Sequence, residues 1–170
     1  MSALFQKPSH LSTSASFMAS AAAKMELVTE LFARHKETPA EVELVLAQAR
    51  AIFENCPFPV WAKYEDGTNV YSNPHYRETI LDYQGQHDVL AWGRETGASF
   101  LENDAEAAQR GGILVHENWH NPNTNRHEHG WIAKWPQVVK TATGDRTLVW
   151  GALLNTVVGR GTRSDSGDAA

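Results

Sequence analysis

The sequence predicts an α+β fold: a five-stranded antiparallel sheet with short helices on one face, preceded by N-terminal helices. Three observations carry this prediction. The stretch Cys56 to Asn73, CPFPVWAKYEDGTNVYSN, holds two apolar-aromatic runs hinged on Asp66-Gly67. Glycine there accepts the positive φ of a tight two-residue hairpin turn. A helix start follows at once, because Asn73 can cap a backbone N–H and Pro74 at the first helical position gives up no needed donor. Beyond Gly111-Gly112, three more strand patterns joined by turns run to Val158. Strands joined by turns pair antiparallel, so the helices between the two strand groups gather on one face.

Taken in order, residues 1–16 are small, polar and aperiodic and read as a flexible N-terminus. From about Phe17 to His35 the apolar positions Met18, Met25, Val28, Leu31 and Phe32 recur at helical spacing. Thr38-Pro39-Ala40-Glu41 has the form of a capping box with Thr38 as N-cap, opening a helix to about Asn55. Its stripe of Val42, Val45, Leu46, Ala49 and Phe53 either lies on the domain's own sheet or pairs with a second copy; periodicity locates an apolar face without identifying its cover. Residues 17–55 are therefore N-terminal helices and a candidate dimerisation segment, 56–158 the main domain, and 159–170 a tail disordered by composition.

Within the main domain, Pro74 to Leu81 predicts a short helix, and Gln84 to Ala98 one or two looser turns that bury Trp92. A further helix opens at Glu102 or Asn103 and stops at Gly111-Gly112. Ile113–Trp119, His127–Thr141 and Thr147–Val158 read as strands, separated by the Asn121–Asn125 loop and the Thr143-Gly144-Asp145 turn.

Bulk properties narrow the function. A chain of 170 residues with net charge −5 carries no basic block for phosphate binding, which argues against nucleic acid as a partner. No stretch approaches the roughly 20 apolar residues of a membrane span, and no continuous apolar core of a signal peptide precedes the Ala-Ser-Ala-Ala-Ala run. With a single cysteine, Cys56, the chain reads as a soluble cytoplasmic protein.

The order of elements, with several local residues, resembles the PAS domain family over about residues 50 to 158. The matching positions are Pro57-Phe58-Pro59, Asp66-Gly67, Tyr71-Ser72-Asn73-Pro74, Gly85 with Asp88, Asn103-Asp104 at a helix start, Lys134-Trp135-Pro136, Gly144 and Gly151. The resemblance implies a sheet whose concave face, under its helices, often encloses a small molecule, and an outer face or preceding helix that mediates dimerisation. Two features depart from the family. Asn155-Thr156-Val157 stands where the family usually carries an Asp-Ile-Thr-like triplet, so the coupling carboxylate is missing, and little sequence follows Val158 to supply an output domain.

Six tryptophans suit aromatic walls around a planar ligand, since each ring buries a large area and stacks at defined geometry. The candidate cavity residues are Tyr71, Trp92, Trp119, Trp131, Trp135 and Trp150; core filling or a dimer face is the alternative for most of them. His116, His120, His127 and His129, near Glu117 and Glu128, form a candidate metal cluster against the simpler reading of a wet, polar strand pair. Covalent flavin chemistry lacks support because Cys56 precedes the first strand of the hairpin, and haem lacks a histidine between Glu102 and Gly112. No Gly-x-Ser-x-Gly elbow or phosphate loop marks an enzyme. The expected function is a non-enzymatic PAS-type sensor or adaptor that binds a small organic ligand and acts through a homodimer or a partner signalling protein. The alternatives are a ligand-free PAS-fold interaction subunit and, behind it, a histidine-cluster metalloprotein.

Overall fold

The computed structural model of the chain describes residues 40–158, with side chains described to Asn155, all within one compact unit. Thr38, the helix expected at 17–35, the N-terminal residues 1–16 and the tail 159–170 lie outside the described residues. The elements run β1 (Ala40–Glu41), α1 (Val42–Phe53), β2 (Val60–Tyr64), β3 (Asn69–Ser72), α2 (Pro74–Thr79), α3 (Asp88–Trp92), α4 (Arg94–Arg110), β4 (Ile113–Asn121), β5 (Arg126–Thr141) and β6 (Gly144–Val158). Five strands make an antiparallel sheet in the order β3-β2-β6-β5-β4. β1 adds a short parallel pairing to β5 at Val139 and Lys140, past the point where β4 ends opposite Lys134.

Strand alternation gives the sheet two different faces. One carries Trp61, Trp119, Ile132 and Leu153, which cluster with Tyr76, Ile80, Tyr83 and Phe100 from the helical side. The other carries Tyr71 and Trp150 and is covered by α1. Val42, Val45, Ala49 and Phe53 are buried there, the Phe53 ring lies 6.3 Å from Trp150, and the Tyr71 hydroxyl donates to the Ala49 carbonyl at 3.3 Å. The apolar stripe of α1 is thus committed to the domain's own sheet, one of the two covers its periodicity left open, and α1 belongs to the folded unit.

The cap at Asn73 forms as expected. Its Oδ1 accepts from Tyr76 N at 2.9 Å and also from Val60 N at 3.0 Å, while its Nδ2 donates to the Phe58 carbonyl at 2.9 Å. One side chain therefore starts α2 and ties it to the entry of β2. The expected helix stop also forms: α4 ends at Gly111, in the left-handed conformation with φ 74°.

Three local expectations are corrected. The capping box does not open α1: Glu41 is extended, makes no side-chain cap bond, and is drawn into β1 by pairing with β5. The loop at Asp66-Gly67 holds three residues, Glu65 to Gly67, since Gly67 N donates to the Tyr64 carbonyl and Tyr64 N to the Thr68 carbonyl. Gly67 supplies the positive φ, 87°, that a three-residue hairpin loop needs. Finally, α4 begins at Arg94 and absorbs much of the region expected to be loose, so Asn103-Asp104 stands mid-helix. Close contact with α3 accompanies this longer helix: a Cβ at Gly97 would lie 2.7 Å from the Val89 backbone.

Candidate functional site

Between the sheet and α2–α4 lies a cavity of about 30 Å³, counted as the space open to the centre of a water molecule. At about 10–15 Å³ per water, that is room for two or three. Its walls are Trp61, Tyr76, Ile80, Tyr83, Trp92, Phe100, Trp119, Ile132 and Leu153, and its polar groups come from Lys63 and Glu117. The rings meet edge to face: Tyr83 and Trp92 at 5.9 Å, Trp92 and Phe100 at 5.6 Å. Trp119 Nε1 is buried without a hydrogen-bond partner. A wall residue with an unanswered donor is a natural point of contact for a water or a ligand acceptor.

Beside the cavity runs an alternating chain of buried charges drawn from five elements. Lys63 on β2 pairs with Asp88 on α3 at 2.6 Å and with Asp104 on α4 at 2.6 Å. The Lys63–Asp104 contact is an ion pair without a well-directed hydrogen bond. Lys134 on β5 pairs with Asp104 and with Glu117 on β4, each at 2.6 Å. Tyr83 Oη donates to Asp88 at 2.9 Å and Asn103 Nδ2 to Glu117 at 2.9 Å, so both ends of the chain are closed by neutral donors. Both ammonium groups also face the Phe100 ring, at 5.6 and 5.7 Å from its centroid. Five charged side chains stand at 6 % exposure or less here, a burial that only mutual pairing makes tolerable.

These contacts set the protonation of the site. Burial by itself would lower the Lys63 pKa, but the Asp104 carboxylate, with Tyr83 and Asp88, overrides it and holds the ammonium well above its usual range. Burial by itself would raise Asp104, yet Lys63 and Lys134 hold it below the usual carboxylate value. Burial pushes the Tyr83 phenol up to about 12, and Tyr76 is likewise raised by burial. At neutral pH the lysine is charged, the aspartate ionised and the phenols protonated.

Of the candidates named from sequence, Trp92 and Trp119 line the cavity. Trp135 and Trp150 stack on each other at 6.5 Å on the far face, and Tyr71 lies beside Trp150 under α1. Trp131 is 44 % exposed on that same outer face. Gly151 stands opposite Trp61 on β2, and the Trp61 indole lies across it; a Cβ there would come within 2.3 Å of the ring. Trp61, Tyr76, Tyr83 and Phe100, with Lys63 and Glu117, are the cavity residues that sequence reasoning passed over. The signal for Lys63 was present as a lysine inside the apolar run VWAKY; Tyr76 and Phe100 come from helices, Tyr83 from a loop and Trp61 from β2, and which way each faces depends on packing.

The four histidines project from the outer face in two cross-strand groups. His116 Nε2 and His129 Nδ1 are 3.0 Å apart, and His120 faces His127 with ring centroids at 5.1 Å. Glu117 and Glu128 point to the opposite face, where Glu117 belongs to the charge chain and Glu128 accepts from Asn121 and Thr124. Those carboxylates therefore cannot complete a site with the imidazoles. Among the described residues no three His, Cys, Asp or Glu side chains gather as a metal centre. No helix among them is long and apolar enough to cross a membrane.

No protein-family model and no curated protein matches the sequence. Solved structures do resemble it. A Vibrio cholerae VqmA dimer is 20 % identical with a TM-score of 0.48, over 64 % of this chain and 51 % of that one. The chain thus spans about half of VqmA. The PAS domain of Bordetella pertussis BvgS is 16 % identical with a TM-score of 0.45, over 68 % of this chain and 88 % of that one. A PAS domain of an HTR-like protein from Haloarcula marismortui is 14 % identical with a TM-score of 0.43, over 66 % of this chain and 93 % of that one. With five antiparallel strands, helices closing one face over a cavity and a preceding helix on the other, the described domain has a PAS-like fold.

Proposed function

We propose that this chain is a non-enzymatic PAS-type sensor or adaptor, binding a small organic ligand in the cavity and signalling through dimerisation or a partner protein. The observation that carries this reading is an interior space walled by aromatic rings, with the unpartnered Trp119 Nε1 in its wall and Lys63 and Glu117 at its polar edge. Planar apolar walls with a few placed polar groups are the usual makeup of a ligand pocket. The present space holds only a few waters, so an aromatic ligand requires part of the wall to move. Trp92 is the candidate for that movement, because it is only half-buried and sits on the five-residue helix α3. A ligand that favours one position of Trp92 biases α3, and Asp88 on the same helix links that shift to the charge chain.

The test is mass spectrometry and absorbance of the compound released when tag-free protein is denatured, repeated with Trp119→Phe. Recovery of a stoichiometric small molecule that falls in the variant supports the proposal. Protein that releases nothing, and whose thermal midpoint no small-molecule library shifts, refutes it.

A second reading rests on the outer face, where Leu114 and Trp131 remain 49 % and 44 % exposed. In that reading the domain is a ligand-free assembly subunit. Light scattering at micromolar concentration distinguishes it, since a persistent monomer counts against an assembly role.

A further inference from the structure

We propose that His116 and His129 form a two-imidazole chelate for a divalent transition metal ion, copper(II) before nickel(II), on the outer face of the β4–β5 ribbon. This site is separate from the cavity, which lies across the sheet, and does not depend on the sensor reading. The pairing of β4 with β5 is unbroken from Ile113 opposite Lys134 to Asn121 opposite Arg126, with Asn118 opposite His129 and His116 opposite Trp131. His116 and His129 are thus diagonal neighbours on one face, carried by two paired strands rather than a loop. The edge-on contact of Trp131 with His116, at 5.2 Å and 70°, orients one of the two rings.

Nε2 of His116 and Nδ1 of His129 are 3.0 Å apart, a hydrogen-bond separation that brings two imidazole nitrogens within reach of one ion once the rings turn. Imidazole suits copper(II) and nickel(II), and copper(II) heads the general affinity order for nitrogen ligands. In the metal-free pair one ring nitrogen donates to the other. On binding, the donor ring moves that proton to its second nitrogen, so both facing nitrogens offer lone pairs and the count of protein-bound protons is unchanged. Water fills the remaining positions, since Glu117 and Glu128 face the other way. His120 and His127, one step along the ribbon, show no such nitrogen contact and serve as internal controls.

The experiment titrates tag-free full-length protein with copper(II), followed by electron paramagnetic resonance and calorimetry. His116→Gln, His129→Gln, His120→Gln and His127→Gln are titrated in parallel, with circular dichroism confirming the fold. These side chains project from the surface, so the variants keep their structure. The first equivalent should show a tetragonal spectrum with two nitrogen ligands. Its affinity should fall at least tenfold in H116Q and in H129Q and change less than threefold in H120Q and H127Q. In the wild type, copper(II) should bind this pair more tightly than nickel(II) or zinc(II). If the first equivalent is insensitive to H116Q and H129Q, or if zinc(II) outcompetes copper(II), the assignment is wrong.

Discussion

Lys63 shows how one residue couples solvation, pairing and shape. It is 2 % exposed, and its ammonium is held in place by two carboxylates from different helices. Replacing it with methionine keeps much of the volume but leaves Asp88 without its cation and Asp104 with Lys134 alone. Loss of one partner from a buried pair costs about 3–5 kcal/mol, so K63M should lower the urea midpoint markedly, and an unchanged midpoint would show that the chain of charges is not stabilising. The protonation shifts give the pH profile. Asp104 titrates lower folded than unfolded, so its contribution is present above its ordinary pKa of 3.8 and is lost as pH falls through its depressed folded value. Tyr83 titrates higher folded than unfolded, near 12 against 10.0, and Lys63 is raised as well, so their contributions hold at neutral pH and are lost as pH climbs beyond about 10. Unfolding free energy should be level between those limbs, and Asp104→Asn should flatten the acid limb while lowering the plateau. At Gly151 the issue is space alone: Gly151→Ala must displace Trp61, at a cost of about 1–3 kcal/mol, with a red or blue shift of tryptophan emission reporting the moved indole.

At the scale of elements, Asn73 and α1 carry the architecture. Asn73→Ala removes the cap on α2 and leaves Val60 N without its partner, two effects worth about 1–2 kcal/mol for the cap and about 1–3 kcal/mol for a buried donor left unpaired. Equilibrium unfolding of N73A measures their sum; a loss under 1 kcal/mol would mean that the loop entering β2 is restrained elsewhere. Phe53→Ala opens a void between α1 and Trp150 and should cost about 3–5 kcal/mol, whereas Leu90→Ser, at a position 81 % exposed, should stay within about 0.5 kcal/mol of the parent. Asn73 with Pro74 was readable because a cap is a local device. The true start of α1 was not, because Glu41 forgoes a helical conformation for a strand contact with Lys140, far away in sequence. The length of α4 escaped for a related reason: its loose-looking first half is ordered by the close approach of Gly97 to the α3 backbone.

For the molecule as a whole, binding of a ligand to the folded state alone should raise stability by about 2.7 kcal/mol at a hundredfold excess over its dissociation constant. A shift of the thermal midpoint with concentration, accompanied by quenching from Trp61, Trp92 and Trp119, is the expected signature. The five antiparallel strands, a hairpin at Asp66-Gly67, the capped α2 and the three-strand finish were legible, since period, turn chemistry and caps act over a few residues; β1 was not, because it exists only through its pairing with β5. Which aromatic rings wall the cavity was legible only for Trp92 and Trp119. Alternation along β5 correctly placed Trp131 and Trp135 on a common side, but a period of two does not say which side faces the helices. That choice was made by long-range pairing: Lys63, Lys134 and Glu117 turn inward where Asp88 and Asp104 meet them, and the rings on the opposite side of each strand, Trp135 and Trp150 among them, are left for α1 to cover. The sequence by itself determined the order and kind of the elements from β2 onward, save for the reach of α4, because period, turn chemistry and caps act locally. Only the tertiary structure decided the cavity and its chain of buried charges, because Lys63 and Lys134, on strands far apart in sequence, reach the shared Asp104 only once the sheet has closed.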